Sequence, residues 1–80
     1  NLTQVKQALN NDVKYILLDN MSLKNLKNAV KIASGKATLE ASGNINLNNI
    51  KKIANTGVDF ISVGKITHSA KSIDMSLKIE

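Results

Sequence analysis

Three short stretches of this 80-residue sequence hold the side chains that could do chemistry. They are Asp19-Asn20, Glu40-Ala41-Ser42-Gly43-Asn44, and Ser62-Val63-Gly64-Lys65 with His68 just beyond. No nucleophile stands at a fixed interval from a base, no metal-ligand spacing occurs, and there is no GxGxxG or Walker sequence. No catalytic residue is therefore assigned. What the stretches offer is anion binding. Ser42-Gly43-Asn44 precedes a helical pattern whose first turn presents unpaired N–H groups, and a glycine there lets an anion approach the main chain. Gly64 suits the same part on the next loop, with Ile66 to Ser69 opening a short helical turn. The alternative for both glycines is a plain turn. Asp19 either makes a local cap or Asx-turn, or holds Mg²⁺ and sugar hydroxyls. Glu40 interrupts an apolar run and needs a polar cavity or a partner. His68, the one histidine, is either structural or an anion ligand. Lys65, unlike Lys36, falls where it can reach a ligand.

These stretches need elements that bring them to one place. Val13-Lys14-Tyr15-Ile16-Leu17-Leu18, Ala37-Thr38-Leu39-Glu40-Ala41 and Val58-Asp59-Phe60-Ile61-Ser62-Val63 are short apolar runs. Nearly continuous runs rich in β-branched residues predict parallel strands covered on both faces. Between them lie one-sided stripes: Leu2, Val5 and Leu9; Leu23, Leu26, Ala29, Val30 and Ala33; Leu47, Ile50, Ile53 and Ala54. These predict helices lying on a sheet. Ser22 and Asn46 are N-cap types, and Gly35 and Gly57 stand where a left-handed stop is wanted. Ile66 to Ser72 reads as a short helical turn, and Ile73 to Ile79 alternates like an edge strand. Strand starts at 13, 37 and 58 have the rhythm of successive βα units. The fold class is α/β: successive units of a parallel, open TIM-like barrel, with residues 1–80 as its C-terminal segment and an N-terminal domain and earlier barrel units lying upstream. In such folds the C-terminal strand ends carry the ligand, and the three chemistry-bearing stretches are those ends.

Composition narrows the function classes. Without cysteine there is no disulfide framework and no thiolate zinc site. The apolar content, 42%, is that of a folded chain rather than a disordered tail. No apolar run approaches the ~18 residues of a membrane span, and the first residues lack a signal-peptide core, so a cytoplasmic setting is expected. The absence of an initial Met points to a longer parent chain. A net charge of +5 invites a nucleic-acid reading. However, Lys6, Lys24, Lys27, Lys31, Lys51 and Lys52 fall on separate helix faces, there is no Arg, and Tyr15 and Phe60 are the only aromatics. Bidentate base readout and base stacking therefore lack their usual side chains.

At the strand ends the sequence resembles a known family. Ile16-Leu17-Leu18-Asp19-Asn20-Met21-Ser22, Leu39-Glu40-Ala41-Ser42-Gly43-Asn44-Ile45, Thr56-Gly57-Val58-Asp59-Phe60-Ile61-Ser62-Val63-Gly64 and Thr67-His68-Ser69 look like the C-terminal part of the quinolinate phosphoribosyltransferases, with Leu77-Lys78-Ile79 suiting the family's end. The resemblance covers essentially the whole chain, with the motifs in order and at matching intervals. It implies transfer of phosphoribose from phosphoribosyl pyrophosphate to quinolinate, giving nicotinate mononucleotide, pyrophosphate and CO₂ for NAD synthesis. It also implies Mg²⁺, an open α/β barrel behind an N-terminal domain, and a homodimer. Family binding positions match at Asp19 on the ribose and metal side, and at Ser42, Gly43, Asn44 and Gly64 on the phosphate side. Glu40 and His68 lie beside them.

Two departures are plain. Many members have Gly where Asn44 stands, although Asn tolerates left-handed geometry. The family also grips the quinolinate carboxylates with upstream Arg, His and Lys, whereas this chain has no Arg. The 80 residues alone are thus expected to be inactive. Other readings of the same residues are a different phosphate-binding barrel enzyme and a small basic binding module without activity.

Overall fold

The computed structural model describes residues 1–73. The elements follow the capping chemistry. Helix α1 (Leu2–Asn10) opens on a capping box: the Asn1 side chain accepts from the Gln4 N–H at 2.9 Å, and the Asn1 amine donates to Gln4 Oε1 at 3.0 Å. After it come strand β1 (Tyr15–Asp19), helix α2 (Leu23–Ala33), strand β2 (Thr38–Ser42), helix α3 (Ile50–Ala54), strand β3 (Phe60–Val63) and strand β4 (Ile66–Ser69). The Ser22 Oγ caps α2 by accepting from the Asn25 N–H at 3.2 Å. The left-handed stop of α2 begins one residue before the expected glycine, at Ser34 (φ 48°), and Gly35 continues it.

One four-stranded sheet carries the strands in the order β1-β2-β3-β4. The first three are parallel, as the βα rhythm predicts. The fourth departs from expectation. Ile66–Ser69 is not a helical turn but a strand antiparallel to β3, with Val63 opposite Ile66, and helix begins only at 70. Gly64-Lys65 is a two-residue hairpin link with positive φ at its first position only, the pattern of a type II′ turn. That turn and the β-branched pair Ile66-Thr67 outweigh the helical reading. Ile73 is helical rather than extended, and the rest of the proposed edge strand lies outside the described residues.

The helices all pack on one face. Ile16, Leu18, Leu39, Ala41 and Ile61 point into a core completed by Val5, Leu26, Ala29, Ala33, Ile50 and Ile53. Full burial of a side chain such as Leu26 stabilises the fold by about 1.5–3 kcal/mol. The other face is bare, contrary to the expectation of cover on both sides: Tyr15 is 50% exposed and Leu17 58%. Helix α3 is also shorter than its stripe, and Leu47 is 89% exposed. Asn46 nonetheless caps the turn that leads into α3, as its residue type predicts, and its carbonyl accepts from the Ile50 N–H at 2.9 Å. The Asn46 side chain accepts from the N–H groups of Asn48 (2.8 Å) and Asn49 (3.2 Å), and that of Asn49 accepts from Asn46 (2.9 Å). These reciprocal bonds have the pattern of a capping box at the entry to the helix. No helix among the described residues is long and apolar enough to cross a membrane.

Candidate functional site

Asp19 is the last residue of β1. Alternation along the strand buries Ile16 and Leu18 under the helices, so Tyr15, Leu17 and Asp19 are set on the bare face. Asp19 and Ser42 are register partners. Their side chains meet: the Ser42 Oγ donates to Asp19 Oδ1 at 3.0 Å. One residue on, the backbone N–H of Asn20 donates to the Ser42 carbonyl at 2.8 Å.

Gly43 is required where it stands. Its φ is +83°, and a Cβ there would lie 2.8 Å from Asp19 Oδ1 and 3.0 Å from the Asn20 nitrogen. Asn44 follows, also left-handed (φ 50°), with its Nδ2 donating to Asn20 Oδ1 at 2.6 Å and its carbonyl accepting from Asn49 Nδ2 at 2.8 Å. Among the described residues the N–H groups of Gly43 and Asn44 find no protein acceptor. Asp19, Ser42, Gly43 and Asn44 are thus one cluster: a carboxylate beside open main-chain amides.

Gly64 lies at the same edge of the sheet one strand over, since β2 and β3 run in register through Glu40–Phe60 and Ala41–Ile61. A Cβ at Gly64 would meet open space. Its loop is a hairpin link rather than the opening of a helix. Glu40 shares the bare face two residues before Ser42, and its Oε1 accepts from the Tyr15 hydroxyl. That hydrogen bond is the main reason the Tyr15 hydroxyl titrates above its ordinary value, with desolvation and the nearby Glu40 and Asp59 charges adding to it. The Tyr15 ring stacks on Phe60 with centroids 6.4 Å apart. His68 is the outlier. As the register partner of Ile61 on β4 it belongs to the helix-bearing face, opposite Asp19 and Ser42.

Sequence reading named Asn20 beside Asp19 but gave it no task, and gave none to Asn49 or Tyr15; these three hold the named residues in place. The available signal was a polar, left-handed-tolerant Asn directly after an apolar strand. A cation here would have few protein ligands. Among the described residues no three His, Cys, Asp or Glu side chains converge. Mg²⁺ is commonly held by one or two carboxylates together with substrate phosphates. Asp19 meets that requirement, because only its Oδ1 is engaged by the protein.

A family profile described as "Quinolinate phosphoribosyl transferase, C-terminal domain" matches residues 1–78. The chain belongs to this family. It is 42% identical to a chloroplastic nicotinate-nucleotide pyrophosphorylase (carboxylating) of Oryza sativa subsp. japonica, over 99% of this chain and 25% of that protein. It is 40% identical to a probable nicotinate-nucleotide pyrophosphorylase (carboxylating) of Methanocaldococcus jannaschii, over 99% of this chain and 30% of that protein. The solved nicotinate-nucleotide pyrophosphorylase of Ehrlichia chaffeensis superposes with a TM-score of 0.78 at 53% identity, over 80% of this chain and 23% of that one. The chain therefore spans about a quarter to a third of the length of these curated relatives. The mixed α/β sheet is shared with this solved structure of the family.

Proposed function

We propose that the polypeptide carrying this chain is a quinolinate phosphoribosyltransferase. It joins the phosphoribosyl group of phosphoribosyl pyrophosphate to quinolinate, releasing pyrophosphate and CO₂ and forming nicotinate mononucleotide for NAD synthesis. This chain supplies the phosphate and ribose side of the site. The observation that carries the reading is the Asp19–Ser42 hydrogen bond beside the open amides of Gly43 and Asn44, in a chain of this family.

Each residue then has a task. The amides of Gly43 and Asn44, with those of the Gly64 turn, bind the 5′-phosphate, an anchor remote from the reacting carbon whose binding energy orients the ribose. Asp19, held through Oδ1, keeps Oδ2 for a sugar hydroxyl or a cation, and its charge favours positive charge at the anomeric carbon as pyrophosphate leaves. Asp19 would help hold Mg²⁺, whose chemistry there would be charge neutralisation of the pyrophosphate leaving group. Glu40 and Tyr15 line the floor below Asp19. No catalytic acid or base is assigned within this chain.

The bare face supports an α/β barrel. Parallel sheets are ordinarily covered on both faces, and a barrel interior covers the face that carries Tyr15, Leu17 and Phe60. An N-terminal domain, a homodimeric assembly and a cytoplasmic setting belong to the same proposal. So does the inactivity of residues 1–80 alone, since the carboxylate-gripping residues of quinolinate are expected upstream.

The test is an assay of the full-length polypeptide with quinolinate, phosphoribosyl pyrophosphate and Mg²⁺. Formation of nicotinate mononucleotide, lost on omission of Mg²⁺ and absent with residues 1–80 alone, is the expected result. A full-length protein that binds neither substrate overturns the reading.

A further inference from the structure

Two asparagines on neighbouring loops are joined side chain to side chain, an arrangement that the anion-binding role does not by itself require. We propose that Asn20 is a positioning residue that ties the loop Ser42-Gly43-Asn44 to the end of β1, and so sets where the loop amides stand relative to the Asp19 carboxylate. The proposal rests on the phosphoribosyl-transfer reading above.

The geometry is a chain of three cross-loop bonds. The Ser42 Oγ donates to Asp19 Oδ1 at 3.0 Å, the Asn20 N–H donates to the Ser42 carbonyl at 2.8 Å, and Asn44 Nδ2 donates to Asn20 Oδ1 at 2.6 Å. The first two lie at the strand ends, where the ladder already fixes the register. Only the third reaches past Gly43, the residue with the greatest backbone freedom in the loop. Asn49 Nδ2 holds the Asn44 carbonyl from the far side at 2.8 Å. Asn44 is therefore gripped at its side chain and its carbonyl while its N–H stays without a protein acceptor.

Both asparagines are left-handed, at φ 57° and 50°. A side chain there costs conformational energy that glycine avoids, so a local strain is kept in exchange for the bond. Both residues are also exposed. An exposed bond of this kind contributes little to global stability, and its effect falls on the orientation of the loop.

Asn20→Gly and Asn44→Gly each delete the bond without adding backbone strain, and they are measured singly and together in the full-length polypeptide. A positioning role raises KM for phosphoribosyl pyrophosphate about fivefold in each single variant, the scale of one net hydrogen bond. KM for quinolinate and the melting temperature stay unchanged, and the double variant loses no more than either single one. The proposal is overturned if the singles match wild type, if their effects multiply, or if both substrates weaken together with a lower melting temperature. Titration with inorganic phosphate, read from the amide resonances of Gly43 and Asn44, decides the point separately from turnover. A wild type that binds phosphate fivefold better than Asn20→Gly upholds the tie even if no nicotinate mononucleotide forms. Equal binding overturns the tie while leaving the enzymatic reading intact.

Discussion

Asp19 and Ser42, register partners at the ends of two parallel strands, meet through a 3.0 Å hydrogen bond from hydroxyl to carboxylate. The serine engages Oδ1, and among the described residues Oδ2 has no hydrogen-bond partner. Removing the carboxylate and removing its orienter are therefore different losses. Asp19→Ala in the full-length enzyme is expected to lower kcat on the order of 10²-fold, the scale of a lost electrostatic stabiliser. Ser42→Ala is expected to lower kcat/KM for phosphoribosyl pyrophosphate about tenfold, as loss of a hydrogen bond to a charged group does. Steady-state kinetics with each substrate varied in turn check both, and equal losses in the two variants would contradict the division of roles.

Gly43 and Gly64 share a positive φ but not their surroundings. A Cβ at Gly43 lies 2.8 Å from Asp19 Oδ1, whereas a Cβ at Gly64 meets nothing within 4 Å. Gly43→Ala must push the Asp19 carboxylate or the Asn20 backbone aside. Gly64→Ala adds only backbone strain, about 1–2 kcal/mol. The expected outcome is a stability loss in both variants, with displacement of Asp19 and loss of the Ser42 bond in Gly43→Ala alone. Thermal melts and a crystal structure of each variant report these.

Much of this site was readable because strand ends and turn glycines follow local chemistry. Asp19, Ser42 and Gly43 stand at the ends of apolar runs, and parallel pairing brings such ends together. The bonds that position them were not readable, because Asn20 to Asn44 spans two loops and depends on side-chain direction. His68 shows the same limit. Its place just after Gly64 suggested the ligand face, but a two-residue hairpin turned the chain back into β4, and the period of two then set His68 on the other face. At the third helix the cap was legible and the stripe was not: Asn46 accepts from the Asn48 and Asn49 N–H groups as an N-cap does, while Leu47 stands exposed on the turn before the regular helix. Covered strands were expected from continuous apolar runs, and Leu17 shows that such a run does not say what covers it.

The Tyr15–Glu40 pair makes a pH-dependent contribution. The fold holds the Tyr15 proton more tightly than the unfolded chain does, chiefly through the hydrogen bond to Glu40. The stabilisation is therefore complete below the ordinary tyrosine value of about 10 and is lost as pH rises through the raised folded value. Glu40→Gln removes the charged acceptor and brings the Tyr15 titration back toward the ordinary value. An ultraviolet difference titration of each protein against its own Tyr15→Phe variant measures it. Identical midpoints with Glu40 and with Gln would show that the hydrogen bond does not hold the proton.

Leu17 tests the bare face. In residues 1–73 as described it is 58% exposed on the side opposite the helices. A charge at such a position costs less than about 0.5 kcal/mol if the face stays open. If the full-length polypeptide closes the sheet into a barrel, the same side chain becomes interior, and an unpaired buried carboxylate there costs several kcal/mol or forces its own protonation. Leu17→Asp is thus expected to lower the melting temperature of the full-length protein sharply while leaving that of the isolated 80-residue chain nearly unchanged. Paired thermal melts of the two lengths give the comparison. A full-length protein indifferent to Leu17→Asp leaves this face open to solvent and removes the physical support for a barrel interior on this side of the sheet.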